Sequence, residues 1–229
     1  MLAAIIVAGG CCRRMGFDKT FALIGGKPVI AHSIVAFEAA DSVDEIILVG
    51  REDRLAELND LVVQQAFRKV QRVVAGGARR QDSVSAGLDS LSRGSRYVAI
   101  HDAARPLVPP AQIELVFQQA RRHGAAALAA PVTDTLKRAT DARMVCGSIE
   151  REGIYAMQTP QIFLKELLLE AFRVVQVEKL ALTDEVSAVE YLGREVVLVA
   201  NPDPNFKITF PADVALAEFA LGNRGTSRS

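Results

Sequence analysis

Within residues 3–20, AAIIVAGGCCRRMGFDKT, the pair Gly9-Gly10 is followed by Arg13, Arg14 and Lys19. Glycines let a backbone approach a ligand closely and turn its amide N–H groups toward it. Three cations beside such amides suit a polyphosphate, whose charge is dense and whose oxygens accept many hydrogen bonds. A strand followed by a solvated basic loop would read the same way, because short glycine motifs also arise by chance. Two commoner phosphate loops are excluded. A dinucleotide fingerprint needs G-x-G-x-x-G, but Cys11 and Arg14 stand where its second and third glycines belong. A P-loop needs Gly-Lys followed by Ser or Thr, and Gly26-Lys27 is followed by Pro28.

Asp102 ends an apolar run in HDAARP. A lone carboxylate beside bound phosphates suits Mg2+, which takes one or two carboxylates plus phosphate oxygens and waters. Taken in isolation, D-A-A-R more often places its Asp as a cap of the following turn. Arg105 is placed to hold a phosphate or to pair with a nearby acid. In GGARRQDS, Asp82 and Ser83 precede a helix and read as caps, or Gly77 and Ser83 meet a base or ribose. His101 reads as a packed, hydrogen-bonded residue, and His32 and His123 as helix surface. No Ser-His-Asp order, metal-type His cluster or CxxC is present, so covalent catalysis is not expected.

The elements that position these groups alternate. Ala3–Val7, Glu45–Val49, Val70–Val74, Tyr97–Ile100, Ala125–Ala130 and Val196–Ala200 read as strands. Helices are predicted from Pro28 to about Ala40, Arg54 to about Phe67, just after Ser83 through Leu91, about Pro110 to His123, Lys165 to Val175, Thr183 to about Leu192, and Pro211 to before Gly222. Ile30, Ile34, Val35 and Phe37 should form the core face of the first. Thr183 is expected as N-cap of the sixth, with acids in its first turn suiting the helix dipole. Alternation of this kind predicts an α/β fold: a mostly parallel twisted sheet with helices on both faces. The basic loop, GGARRQDS and HDAARP each follow a strand directly, so all three should meet at one sheet edge, where ligands of open α/β sheets bind. Residues 132–158 change pattern to a polar hairpin with little core of its own. It is expected as a protruding arm that exchanges contacts in a homodimer. Thr159-Pro160-Gln161 then returns the chain to the core, and the loop Asn201–Asn205 presents Lys207. Residues 1–222 are expected to form a single domain, and 223–229 a disordered tail.

At 229 residues, with half of them hydrophobic and a formal net charge of zero, the chain has ample core. It also lacks the basic excess of a general nucleic-acid coat or an anionic-membrane binder. Cys11, Cys12 and Cys146 show no metal-ligand or disulfide spacing, which predicts reduced thiols in a cytoplasm. No signal-peptide pattern and no apolar run near the roughly 20 residues that span a bilayer are visible.

Together the motifs resemble those of the 2-C-methyl-D-erythritol 4-phosphate cytidylyltransferases of the non-mevalonate isoprenoid pathway. That family lies among the nucleotidyltransferases of glycosyltransferase-A-like, Rossmann-like fold. The resemblance runs from Ile5 to about Leu216 through AGGCCRRMG with Lys19, GGARRQDSVSAGL, HDAARP, PVTDTLKRA, QTPQ, TDEVSAVE and NFKIT. It implies cytidylyl transfer from CTP to the sugar-alcohol phosphate, with Mg2+ as cofactor. It implies catalytic roles for Arg14, Lys19 and Lys207, the first two neutralising the triphosphate and the pentavalent transition state. Ala8, Gly9, Gly10, Gly77, Arg80, Ser83 and Asp102 fall where the family holds the nucleotide, with Asp102 as the magnesium ligand. Arg105, Thr135, Arg151 and Thr159 fall where it grips the sugar phosphate, and Lys207 near the reacting oxygen. Thr135 and Arg151 lie in the arm, which in the family serves the neighbouring subunit. The sequence departs from the usual A-A-G-x-G-x-R-M loop at Gly9 and Cys12. It also carries Tyr155 for a usual tryptophan and Val186 for a common alanine. A ribitol 5-phosphate cytidylyltransferase shares most motifs, although Ala104 favours the isoprenoid enzyme. A CTP-binding protein without turnover is the remaining alternative, which the joint presence of Lys19, Asp102 and Lys207 disfavours.

Overall fold

The computed structural model describes residues 1–9 and 18–223. The chain begins with β1 (Leu2–Val7), β2 (Leu23–Ile24), β3 (Lys27–Pro28), α1 (Val29–Glu38) and β4 (Val43–Gly50). After a 3-10 turn come α2 (Leu55–Gln64), β5 (Val70–Ala75), α3 (Arg80–Asp89), β6 (Tyr97–Asp102), α4 (Pro110–His123) and β7 (Ala125–Pro131). The remainder is β8 (Leu136–Ala139), β9 (Val145–Ile149), β10 (Tyr155–Leu164), α5 (Lys165–Val177), α6 (Glu185–Tyr191), β11 (Val197–Ala200) and α7 (Pro211–Asn223).

Seven strands form the central sheet in the order β11-β7-β10-β6-β1-β4-β5. All run parallel except β10, which is antiparallel to β6 and β7. All six residues of β1, LAAIIV, are buried, as expected of a strand covered on both faces. Its side chains alternate between two cores. Leu2, Ala4 and Ile6 meet Ile34, Phe37, Leu58 and Ile113 of α1, α2 and α4. Ile5 and Val7 share the opposite cluster with Val84, Leu168, Phe172 and Val189 of α3, α5 and α6. The expected parallel sheet with helices on both faces is therefore present.

Several local expectations are corrected. The TPQ segment does not simply return the chain to the core. It lies inside the ten-residue strand β10, whose apolar Ile162 and Phe163 are buried. The ladder to β7 shifts register between Met157 and Gln161, where Pro160 has no N–H to contribute. Residues 155–158 thus belong to the sheet, with Tyr155, Ala156 and Met157 opposite Pro131, Ala130 and Ala129. The ribbon proper is 132–154. The N-cap of α6 is Asp184, not Thr183: its carboxylate accepts the Ser187 N–H at 3.0 Å, a position where an ionised acceptor suits the helix dipole. Val35 is 44% exposed, so it does not join the core face of α1. His32 is half-buried with Nε2 2.9 Å from the Ile24 carbonyl, so it is not simply surface, whereas His123 is exposed. Helix α7 continues through Gly222 to Asn223. Among the described residues no helix is long and apolar enough to cross a membrane.

Candidate active site

The rim is assembled by strand register. Val7 at the end of β1 lies opposite Asp102 at the end of β6, and the Ala103 N–H reaches back to the Val7 carbonyl at 3.0 Å. Two strands away, the Gly76 N–H donates to the Gly50 carbonyl at 2.7 Å, so the loop between β5 and α3 starts at the same edge. Helix α3 leans over it. Ser83 is 1% exposed, and its Oγ accepts the Gly77 N–H at 3.2 Å. A Cβ on Gly76 would sit 2.5 Å from Ser83 Oγ, and one on Gly77 2.4 Å from Asp82 Cβ; only glycine leaves room for this approach. Asp82 and Ser83 lie inside the first turn of α3 and do not precede it; Asp82 still caps the helix, but from its third position, its Oδ2 accepting the N–H of the N-cap residue Arg79 at 3.0 Å.

Asp102 is the centre of the charge arrangement. It does not cap the following turn through its side chain, which instead gathers cations. Arg80 Nε donates to Oδ1 at 3.0 Å, Lys207 Nζ donates to Oδ2 at 2.8 Å, and Arg105 Nε lies 3.8 Å from Oδ2. Burial alone would push this carboxyl up, but the charges of Arg80, Lys207 and Arg105 outweigh it and hold Asp102 well below the usual carboxylate range. It is an ionised acceptor at any ordinary pH.

Behind it stands a neutral histidine. His101 is fully buried, with Nε2 3.1 Å from the Arg105 carbonyl and Nδ1 3.0 Å from Thr159 Oγ1. A carbonyl only accepts, so Nε2 carries the proton and Nδ1 accepts from the Thr159 hydroxyl. That hydroxyl also accepts the Asp102 N–H at 3.1 Å. Burial pushes the imidazole down to about 3, which makes His101 the packed residue expected from sequence.

Arg105 is pinned rather than free to sweep: its Nη1 donates to the Asn205 carbonyl at 2.8 Å and its Nη2 to that of Met157 at 3.2 Å. The same two segments carry the loop that delivers Lys207. Gln158 Oε1 accepts from Asn201 at 2.8 Å and Asn205 at 3.2 Å, and the Ile208 N–H reaches the Ala104 carbonyl at 2.8 Å.

Two cavities adjoin at Asp102. One, of about 290 Å³, is lined by Ala8, Gly9, Lys19, Arg80, Ser83, Asp102 and Lys207 among others. The second, of about 270 Å³, is lined by Arg80, Asp102, Arg105, Thr159, Thr183 and Lys207 among others. Arg80, Asp102 and Lys207 are common to both. The structure thus brings together nine of the residues singled out from sequence. Gly77 stands at the mouth of the same loop. Thr135 and Arg151 lie exposed on the ribbon and line neither cavity; Arg151 Nη1 donates to the Thr133 carbonyl. Gly10 and Arg14, with Cys11 and Cys12, lie outside the described residues, while Cys146 is exposed and free.

Sequence reading missed Glu185. It is 1% exposed, and its Oε1 accepts from Arg80 Nη1 at 2.6 Å. In sequence it reads as a dipole-matching acid in the first turn of a helix. The available signal was its spacing: Glu185 and Val189 stand at i and i+4, which places the acid on the apolar face.

Among the described residues no cluster of three or more His, Cys, Asp or Glu could hold a metal ion, so those residues supply no all-protein cage. One ionised carboxylate beside a cationic cavity nevertheless fits Mg2+, which draws the rest of its shell from phosphate oxygens and water.

A largely parallel sheet whose rim sets one carboxylate among lysine and arginine side chains is an α/β nucleotidyltransferase-like fold. The family model described as "IspD: 2-C-methyl-D-erythritol 4-phosphate cytidylyltransferase" matches residues 2–223, and the chain belongs to that family. It is 38% identical over 224 residues to the 2-C-methyl-D-erythritol 4-phosphate cytidylyltransferase of Halalkalibacterium halodurans, with 97% of each chain covered. It is 40% identical over 228 residues to that of Desulforamulus reducens, again over 97% of each. Among solved structures, the 4-diphosphocytidyl-2C-methyl-D-erythritol synthase of Anaerococcus prevotii superposes with a TM-score of 0.86 at 27% identity, covering 97% of this chain and 98% of that one. The Thermus thermophilus cytidylyltransferase gives 0.77 at 28%, covering 95% and 98%.

Proposed function

We propose that the chain is an enzyme that transfers the cytidylyl group of CTP to 2-C-methyl-D-erythritol 4-phosphate, releasing pyrophosphate. The observation that carries the mechanism is the shared wall of the two cavities, Arg80, Asp102 and Lys207. Two anionic substrates seated in the two cavities would meet across that wall. An oxygen of the sugar phosphate attacks the α-phosphorus of CTP in line. The new O–P bond forms as the bond to the bridging oxygen of the β-phosphate breaks, and the pyrophosphate leaves with that electron pair.

A phosphate monoester is already ionised near neutrality, so no strong base is required. The chain supplies position and charge instead. Lys19 neutralises the triphosphate from the first cavity, a charge role that the family resemblance extends to Arg14. Lys207 sits where the attacking and attacked phosphates meet, and offsets their repulsion. The glycine loop folded over Ser83 leaves a narrow seat for a pyrimidine. Arg105 and Thr159 line the sugar-phosphate side. Asp102 would hold Mg2+, which when bound adds charge neutralisation on the phosphate oxygens.

We read residues 1–222 as one domain carrying an arm. No residue from Pro131 to Gln158 is buried, and Met144 and Val145 are each 68% exposed. Thr135 and Arg151 stand apart from this chain's own cavities, so a substrate role for them is one exercised on a second copy. A homodimer joined through the arms satisfies both features. We place the enzyme in the cytoplasm, where reduced cysteines are stable.

The direct test is pyrophosphate release from CTP, ATP and UTP against a panel of methylerythritol and pentitol phosphates. CTP with 2-C-methyl-D-erythritol 4-phosphate is expected to exceed every other pair. A stronger response to ribitol 5-phosphate, or none to any pair, would overturn the assignment.

A further inference from the structure

Arg80 lines both cavities, yet its guanidinium is not held by Asp102 alone. Its Nε donates to Asp102 Oδ1 at 3.0 Å and its Nη1 to Glu185 Oε1 at 2.6 Å. Glu185 itself lines neither cavity. Two acceptors from different elements, β6 and α6, fix the plane of the fork as one could not. The α6 end of this arrangement is anchored in turn. Gln161 of β10 donates from Nε2 to Asp184 at 3.0 Å and accepts the Val186 N–H at 3.2 Å. Helix α6 therefore starts at a fixed height above the sheet, with Glu185 between the two clamped residues.

The cost of this carboxylate argues that it is not kept for stability. Glu185 is 1% exposed, and its second oxygen, Oε2, is buried without a partner. A buried ion pair with an unsatisfied oxygen is commonly no more stabilising than well-packed apolar side chains. Arg80 is also 26% exposed on its side chain. With Glu185 removed, one Nε bond would hold it, and the fork would be free to follow an incoming phosphate instead of meeting it.

We propose that Glu185 is a positioning residue for the cytidylyl transfer, orienting the Arg80 guanidinium across the wall between the two cavities before substrate arrives. The inference rests on the functional reading above and extends it to a residue that contacts no substrate. Glu185→Ala is expected to lower kcat/KM for CTP tenfold or more while the far-UV spectrum stays that of the wild type. Glu185→Gln keeps the acceptor for Nη1 and is expected to recover most of that loss. In an Arg80→Ala background, Glu185→Ala should change kcat/KM by less than twofold, because the residue through which it acts is gone.

Equal losses from Glu185→Ala in both backgrounds would overturn the proposal, as would wild-type kcat/KM in that variant or a Gln variant as poor as the Ala one. A readout without turnover covers the case of a variant that does not fold. In the substrate-free wild-type protein, the Arg80 Nη–H resonances, identified by their loss in Arg80→Ala, are expected as distinct, slowly exchanging signals, since Nη1 is the atom that donates to Glu185. An exchange-averaged resonance there would sink the idea. A wild-type protein inactive on CTP, with the Arg80 signal still distinct, would instead count against the functional reading.

Discussion

Lys207 Nζ lies 2.8 Å from Asp102 Oδ2, although 105 residues of chain separate them. One comes from the end of β6 and the other from the loop after β11, so the pair closes the site across the sheet. Removing one cation that acts on the transition state commonly costs about 2.7–4 kcal/mol, by analogy with loss of one oxyanion donor. Lys207→Ala and Lys19→Ala are each expected to slow turnover on the order of a hundredfold or more. Steady-state kinetics beside a thermal melt separates this from unfolding. Turnover within about twofold of wild type in both variants would remove these lysines from the mechanism.

His101 makes stability depend on acid. Its ordinary value is 6.5, and burial lowers it to about 3 in the folded chain. Between those values the unfolded chain binds a proton that the folded chain refuses. The stabilisation is therefore fully present above 6.5 and is lost as the pH falls toward 3, by about 1.4 kcal/mol per pH unit. Urea unfolding at pH 6, 5.5 and 5 should show this slope in the wild type. His101→Gln should show a slope smaller by about one proton, and identical slopes would refute the assignment.

The seat of α3 should not tolerate a methyl group. A Cβ on Gly77 would meet Asp82 Cβ at 2.4 Å, far inside van der Waals contact. Overpacking of this kind costs about 1–3 kcal/mol. Gly77→Ala is expected to melt several degrees lower and to raise the KM for CTP, since the same turn places Ser83 and Arg80. An unchanged melting temperature would show that the loop relaxes freely.

For the ribbon, Arg151→Ala is expected to raise the KM for the sugar phosphate severalfold with little change in that for CTP. Sedimentation velocity should give a dimer for the wild type. A monomer, or equal losses toward both substrates, would assign the arm another purpose.

How much of this was legible in the chain follows from the kind of signal each part leaves. β1 shows as an apolar run because both its faces are covered, and α4 because Pro110 opens it and Gly124, at φ +86°, ends it. Asp102 and Lys207 could be named because their loops follow strands, though their contact is tertiary and leaves no spacing behind. β10 is legible only in part, since Pro160 interrupts what would otherwise read as a continuous strand. Glu185 does not show in sequence because an acid in a first helical turn is usually solvated, and only the arrival of Arg80 from α3 makes its burial tolerable. Asn205, whose side-chain amide donates to the Thr159 carbonyl at 3.0 Å, looks in sequence like any turn asparagine.

The reversed direction of β10 gives the ribbon an unusual mounting. β7 leaves the sheet at the ligand rim and β10 re-enters there, with Tyr155 directly opposite Pro131. Both posts of the hairpin thus stand side by side, and beyond the register shift Gln161, Ile162 and Phe163 are held on both sides, by β6 and by β7. Residues can be added to or taken from the hairpin tip without sliding the strands beneath. The length of the ribbon is adjustable on its own, while the rim below keeps its geometry.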